Sequence, residues 1–166
     1  MSILGRGLAA LVLVSMILSC GPLGAPEAGD GDERAPGFDL ATLDGRQVSL
    51  DSLAGRPAVI DFWATWCAPC IRQIPVLNAL QAEYGGGVSV VGIAVDTSGA
   101  EVVAPFAEEH EMAYTVLLGD ERLAQAYGAL GFPTLFVLDG EGRIVEAHVG
   151  IVTMEELQDA LARAGA

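Results

Sequence analysis

Pro57-Ala58-Val59-Ile60-Asp61-Phe62-Trp63-Ala64-Thr65-Trp66-Cys67-Ala68-Pro69-Cys70 puts two thiols three positions apart, where an apolar run gives way to a helical pattern. Pro57 to Trp63 is short, bounded, and rich in β-branched and aromatic residues, so it reads as a buried strand. Downstream, Ile71, Ile74, Leu77, Leu80 and Tyr84 recur at steps of three and four, the stripe of an amphipathic helix. Cys67 then sits at or just before a helix N-terminus, where unpaired backbone N–H groups and the dipole favour negative charge. A thiolate is stabilised there, and the thiolate is the nucleophile. Cys70, one turn on, shares the helix face and lies within disulfide reach. The spacing points to redox exchange, with Cys67 as the exposed attacking sulfur and Cys70 as the more buried, resolving one.

Two other readings of the pair are open. A structural zinc site normally needs four ligands, and the chain adds only Cys20, His110 and His148, so no metal is assigned. A purely structural disulfide suits a compartment outside the cytosol, but closing so short a loop removes little chain entropy.

The ends of the chain bear on that compartment. Arg6 is the only charge before the apolar stretch Leu8 to Leu18, which is short for a membrane span and has the length of a signal-peptide core. The tetrad Ile17-Leu18-Ser19-Cys20 resembles the lipobox of bacterial lipoproteins, whose cysteine becomes a lipidated N-terminus after cleavage. Residues 1–19 are thus expected to be a signal peptide and Cys20 the lipidation site. A plain signal peptide and an uncleaved anchor are the alternatives, and all three leave the domain outside. From Gly21 to Pro36 the chain is Gly, Ala, Pro and acid, which cannot form a core, so residues 20–36 read as a flexible tether. Residues 37–166 remain for one domain, enough to bury a sizeable core.

There is no lysine, and eight arginines face 22 acids for a net charge of −14. Such a chain has no electrostatic footprint for nucleic acid.

Within the domain, Phe38 to Thr42 and Gln47 to Leu50 flank the Asp44-Gly45 turn and read as a β-hairpin. A short helical turn (Asp51 to Gly55), the central strand and the first helix follow. Gly85-Gly86-Gly87 then breaks the chain before a second buried strand, Val88 to Val95, which suggests a parallel βαβ unit. Next come a helix (Glu101 to His110), a strand (Tyr114 to Leu118) and a helix (Glu121 to Tyr127). Pro133 to Leu138 and Arg143 to His148 flank another turn, and Thr153-Met154-Glu155-Glu156 is a capping box that opens the last helix. The order resembles an α/β thioredoxin-like fold with an N-terminal β-hairpin and a central mixed sheet flanked by helices.

Asp61 to Cys70 is similar to the active-site segment of thioredoxins and of the TlpA/ResA-like thiol-disulfide oxidoreductases. Tyr127-Gly128, Gly131 to Phe136 and Asp139 to Gly142 resemble the second block of the TlpA/ResA group. The resemblance implies a cis bond before Pro133, which would lie against the disulfide. It also implies a Phe132 backbone that pairs with an extended substrate segment as an added strand. Trp66, Ala68, Pro69, Phe132 and Pro133 are the expected substrate-binding residues, and Trp63 and Trp66 the expected walls of the site. Implied partners are protein disulfides, apocytochrome c among them, and a membrane thiol-disulfide electron donor. The N-terminal lipid would hold the chain to a membrane facing the periplasm or cell exterior. The cysteine pair itself carries the electrons, so no cofactor is required.

Asp61 interrupts an apolar strand. Buried acids are costly unless paired or neutralised, desolvation raises their pKa, and Asp61 could then accept a proton from Cys70. The resemblance to thioredoxin implies this role. The alternative is that Asp61 lies on an exposed strand edge. TlpA/ResA-like proteins usually have asparagine at this position and a glutamate three residues after the second cysteine, whereas this chain has Asp61 and Gln73. A neutral Gln73 cannot relay a proton. Pro75 is expected to kink the helix, His110 to be a solvated helix end, and His148 a surface residue.

Two other functions fit thioredoxin-like folds. A peroxiredoxin-like peroxidase would have its threonine three residues before the attacking cysteine, but Thr65 stands two before Cys67. A Sco-like copper module would have three residues between its cysteines and a partner histidine. This chain has two residues there, and only His148 to offer.

Overall fold

β3 (Ala58–Trp63) forms from the apolar run and is buried along its whole length in the computed structural model, which describes residues 34–166. Its partners are β4 (Ser89–Ala94), parallel, and β6 (Thr134–Leu138), antiparallel, so both its edges are hydrogen-bonded. β1 (Asp39–Thr42) and β2 (Gln47–Ser49) make the expected hairpin. β5 (Thr115–Leu118) joins that hairpin to β4, and β7 (Ile144–Val149) flanks β6 at the other edge. The strand order is β2-β1-β5-β4-β3-β6-β7, a mixed sheet.

Among the described residues four α-helices flank it: α1 (Ala68–Tyr84), α2 (Ala100–Glu109), α3 (Glu121–Ala126) and α4 (Met154–Arg163). None among the described residues is long and apolar enough to cross a membrane. Adjacent side chains of β3 point to opposite faces of the sheet. Phe62 packs on Tyr127 and Phe136 at ring-centroid distances of 5.0 and 6.0 Å, whereas Trp63 packs on Phe106 of α2 at 5.3 Å. Trp63 is therefore core and not a wall of the site. The Thr153 capping box forms at the start of α4. α1 runs through Pro75 as one helix. His110 caps the C-terminus of α2 with its ring 4.2 Å from Phe106, so it packs and is not free in solvent.

The expected signal peptide, Cys20 and most of the expected tether lie outside the described residues. Arg34 to Pro36, which composition assigns to the tether, pack on the domain. Ala35 is buried and donates to Gly142, and Tyr127 Oη donates to the Pro36 carbonyl at 2.7 Å.

Gln73 ties α1 to the loop before α4. Its side chain is fully buried, Nε2 donates to the Val152 carbonyl at 3.1 Å, and Oε1 accepts from the Val152 N–H at 2.8 Å. An amide suits this pairing because it has one donor and one acceptor to match a backbone unit. An ionised carboxylate would leave the Val152 carbonyl without its donor. Gln73→Glu should therefore lower stability by about 1–3 kcal/mol at pH 8. Protonation of the new side chain restores the donor, so urea midpoints should show a smaller loss at pH 4; a pH-independent loss would contradict this role.

Candidate active site

The loop between β3 and α1 is held from both ends. Cys67 N–H donates to the Ala64 carbonyl at 3.1 Å, and the Thr65 backbone N–H and hydroxyl donate to the Asp96 carboxylate at 3.1 and 2.5 Å. Asp96 lies just past β4, where Val95 N–H donates to the Trp63 carbonyl. The loop carrying the first cysteine is thereby fixed to the ends of two adjacent parallel strands. Sequence reasoning missed Asp96; its signal was an acid at the C-terminal end of a buried strand.

Cys67 is the N-cap of α1, and the Cys70 N–H is shared between the Cys67 carbonyl at 3.0 Å and Cys67 Sγ at 3.3 Å. The two cysteines form a disulfide with their Cα atoms 5.3 Å apart. Cys70 is the more buried, 2% exposed against 5%, so Cys67 is less exposed than expected. In the bonded pair each sulfur covers the other.

Trp66 is the exposed wall, 66% accessible, with its ring 5.9 Å from Phe132. Between them and α3 runs a groove of about 410 Å³ lined by Trp66, Leu130, Phe132, Ala124, Gln125 and Glu121. Leu130 is 89% exposed and was not anticipated. The Phe132–Pro133 bond is cis. Thr134 Oγ1 donates to the Gly131 carbonyl and Gly150 N–H to the Pro133 carbonyl, which fixes the loop on either side. Among the described residues no hydrogen bond engages the Phe132 backbone.

Asp61 is not at an edge. It is 2% exposed, and its Oδ1 has no hydrogen-bond partner. Burial pushes its carboxyl well above the ordinary value of 3.8. His148 lies in β7 with Nε2 2.7 Å from Glu146 Oε1, and Glu146 also pairs with Arg163. Among the described residues no three His, Cys, Asp or Glu come together as metal ligands.

A thioredoxin-like sheet whose N-capping cysteine is bonded to a second one three residues on, beside a cis-proline loop, identifies the site as a redox pair. Residues 32–147 match the AhpC/TSA family. The chain belongs to that family. It is 35% identical over 133 residues to the thioredoxin-like protein YneN of Bacillus subtilis, covering 78% of this chain and 77% of the relative. It is 30% identical over 128 residues to the thiol-disulfide oxidoreductase ResA of Bacillus anthracis, covering 76% and 73%. A Chlorobium tepidum structure assigned as the thiol:disulfide interchange protein DsbE superposes with a TM-score of 0.75 at 30% identity, over 82% of this chain and 99% of that one. With the Cys67–Cys70 pair in place, this member of the AhpC/TSA family is a thiol-disulfide oxidoreductase. Its Thr65 hydroxyl is committed to Asp96, which tells against the peroxidase alternative.

The Asp61 shift has a definite sign. The folded state holds the Asp61 proton to higher pH than the unfolded chain does. The stability lost to Asp61 is therefore absent below pH 3.8, grows as pH rises through that value, and levels off above the folded pKa. Asp61→Asn should stabilise the oxidised protein at pH 8, where the unfolded carboxyl is fully ionised. The gain should vanish near pH 3, where both states are protonated; urea unfolding at the two pH values measures it. An equal gain at both would contradict the assignment.

Proposed function

We propose that this chain is an exported disulfide reductase, held to a membrane through a lipid on Cys20, that passes electrons from a membrane thiol carrier to protein disulfides such as those of apocytochrome c. The lipobox-like tetrad Ile17-Leu18-Ser19-Cys20 supports export and lipidation.

The observation that carries the chemistry is the Cys70 N–H directed at Cys67 Sγ from the first turn of α1. In the reduced protein that donor and the helix N-terminus favour the Cys67 thiolate. The thiolate attacks a substrate disulfide, forms a mixed disulfide and expels one substrate thiolate. The Cys70 thiol gives its proton to Asp61, attacks Cys67 Sγ, closes the Cys67–Cys70 bond and releases the second substrate thiolate. Two electrons pass to the substrate, and its two thiolates take up protons. Its polypeptide pairs with the Phe132 backbone and lays side chains against Trp66, Ala68, Pro69 and Pro133.

Direction follows from how little else stabilises the thiolate. A couple is strongly oxidising when its reduced form is stabilised. Here Pro69, in the first turn, has no N–H to offer; the first turn carries no basic residue, and the chain has no lysine. Asp61 beneath the strand adds negative charge whenever it ionises. These features favour a reductant.

An insulin-reduction assay tests the reading. Wild type should turn over with dithiothreitol, Cys67→Ser should fall to background, and Cys70→Ser should accumulate a mixed disulfide on Cys67. Folded wild type no more active than Cys67→Ser would overturn it.

A further inference from the structure

Among the described residues, four buried side-chain atoms lack a hydrogen-bond partner, and one of them, His148 Nε2, lies beside Glu146. The other three, Asp61 Oδ1, Trp63 Nε1 and Tyr114 Oη, gather at one backbone position. Asp61 and Gly92 are paired in the parallel β3–β4 ladder. Asp61 and Trp63, two apart on β3, share a face of the sheet. A Cβ on Gly92 would lie 2.9 Å from Trp63 Nε1 and 2.8 Å from Tyr114 Cε2, two bonds from the hydroxyl. A glycine inside a buried strand marks such a close approach. Here it makes room for an indole and a phenol beside a buried acid.

Buried polar groups in native proteins are hydrogen-bonded, to protein or to ordered water. A carboxyl, an indole N–H and a hydroxyl that both donates and accepts form the partner set an internal water requires. Tyr114 is also in the wall of a cleft of about 530 Å³ between the β1–β2 hairpin and α2, with Thr42, Asp44, Arg46, Ala107 and Glu108; its hydroxyl lies on the inner side of that wall, out of solvent contact.

We propose that Asp61, Trp63 and Tyr114 bind one internal water, and that this water and the Tyr114 hydroxyl carry the proton of Asp61 to the cleft between the hairpin and α2. This rests on the reading that Asp61 receives the Cys70 proton. The Cys70 S–H bond breaks as an O–H bond forms on Asp61. The carboxyl passes a proton to the water, the water passes one to Tyr114 Oη, and Tyr114 releases its own into the cleft. One proton leaves, no electron moves, and each oxygen ends as it began. Burial and the nearby charge of Asp61 push the Tyr114 phenol far above its ordinary range, so the hydroxyl stays protonated between transfers. The other charged groups along the route are Glu108 at the end of α2 and Asp44 and Arg46 of the hairpin; β4 contributes Gly92 and α1 the cysteine pair. Tyr114 is in this sense a positioning residue for Asp61, since it touches neither sulfur nor substrate in the step.

The test is resolution of a preformed mixed disulfide on Cys67, followed by stopped flow against pH in H₂O and D₂O. Tyr114→Phe, which keeps the ring, should slow resolution about tenfold or more at pH 7 and change the solvent isotope effect. It should also raise the infrared stretching frequency of the protonated Asp61 carboxyl, which loses its water. Trp63→Phe, which removes the indole donor on the same water together with part of a core ring, should shift that band the same way, and it stands in if Tyr114→Phe does not fold. Unchanged resolution and an unmoved band in these variants, with Asp61→Asn still slow, would overturn the Tyr114 route alone. Resolution by Asp61→Asn at the wild-type rate would overturn the underlying assignment of Asp61.

Discussion

A single backbone N–H directed at a sulfur organises this protein. Cys67 is at once the last residue of the loop from the central strand and the cap of α1, so its sulfur occupies the place where a serine or aspartate oxygen would satisfy a helix end. Everything that places this cap also places the chemistry. β3 is hydrogen-bonded on both sides, Thr65 is clamped to Asp96 at the end of β4, and Gln73 locks the middle of α1 to the loop before α4. The cysteine pair is thus held at the end of a sheet, with Trp66 and Leu130 standing well out of the surface on the groove side.

The second constraint is the acid under the sheet. The position three residues after Cys70 bears a neutral amide fully used in binding Val152, so it has no free valence for proton transfer. The acid sits instead on β3, buried and unpaired at Oδ1, next to a glycine that leaves space for Trp63 and Tyr114. On β3 the charge of that carboxyl is governed by desolvation.

Most of the fold was legible because each element announced itself locally. The apolar run of β3, the Asp44-Gly45 turn and the Thr153 capping box form where the pattern put them, and so does α1, although Ile71 of its stripe is exposed and Gln73 is buried in its place. What stayed hidden was long-range. The Asp96–Thr65 clamp joins residues 31 apart, the Gln73–Val152 pairing spans 79, and Tyr114 meets Trp63 only because β5 folds back beside β4. Gly92 left a trace as a glycine inside a buried strand, and Asp96 as an acid at the end of one. Trp63 was misplaced for the same reason: strand alternation turns it toward α2, and only the placement of Phe106 decides that it is core.

The pH dependence of alkylation of each cysteine in the reduced protein tests the central claim most directly. The N-cap geometry predicts that Cys67 reacts with a pKa below the ordinary thiol value of about 8.5 and that Cys70 titrates above it. Two cysteines titrating together at the ordinary value, or Cys70 below Cys67, would contradict the assignment of attacking and resolving sulfurs.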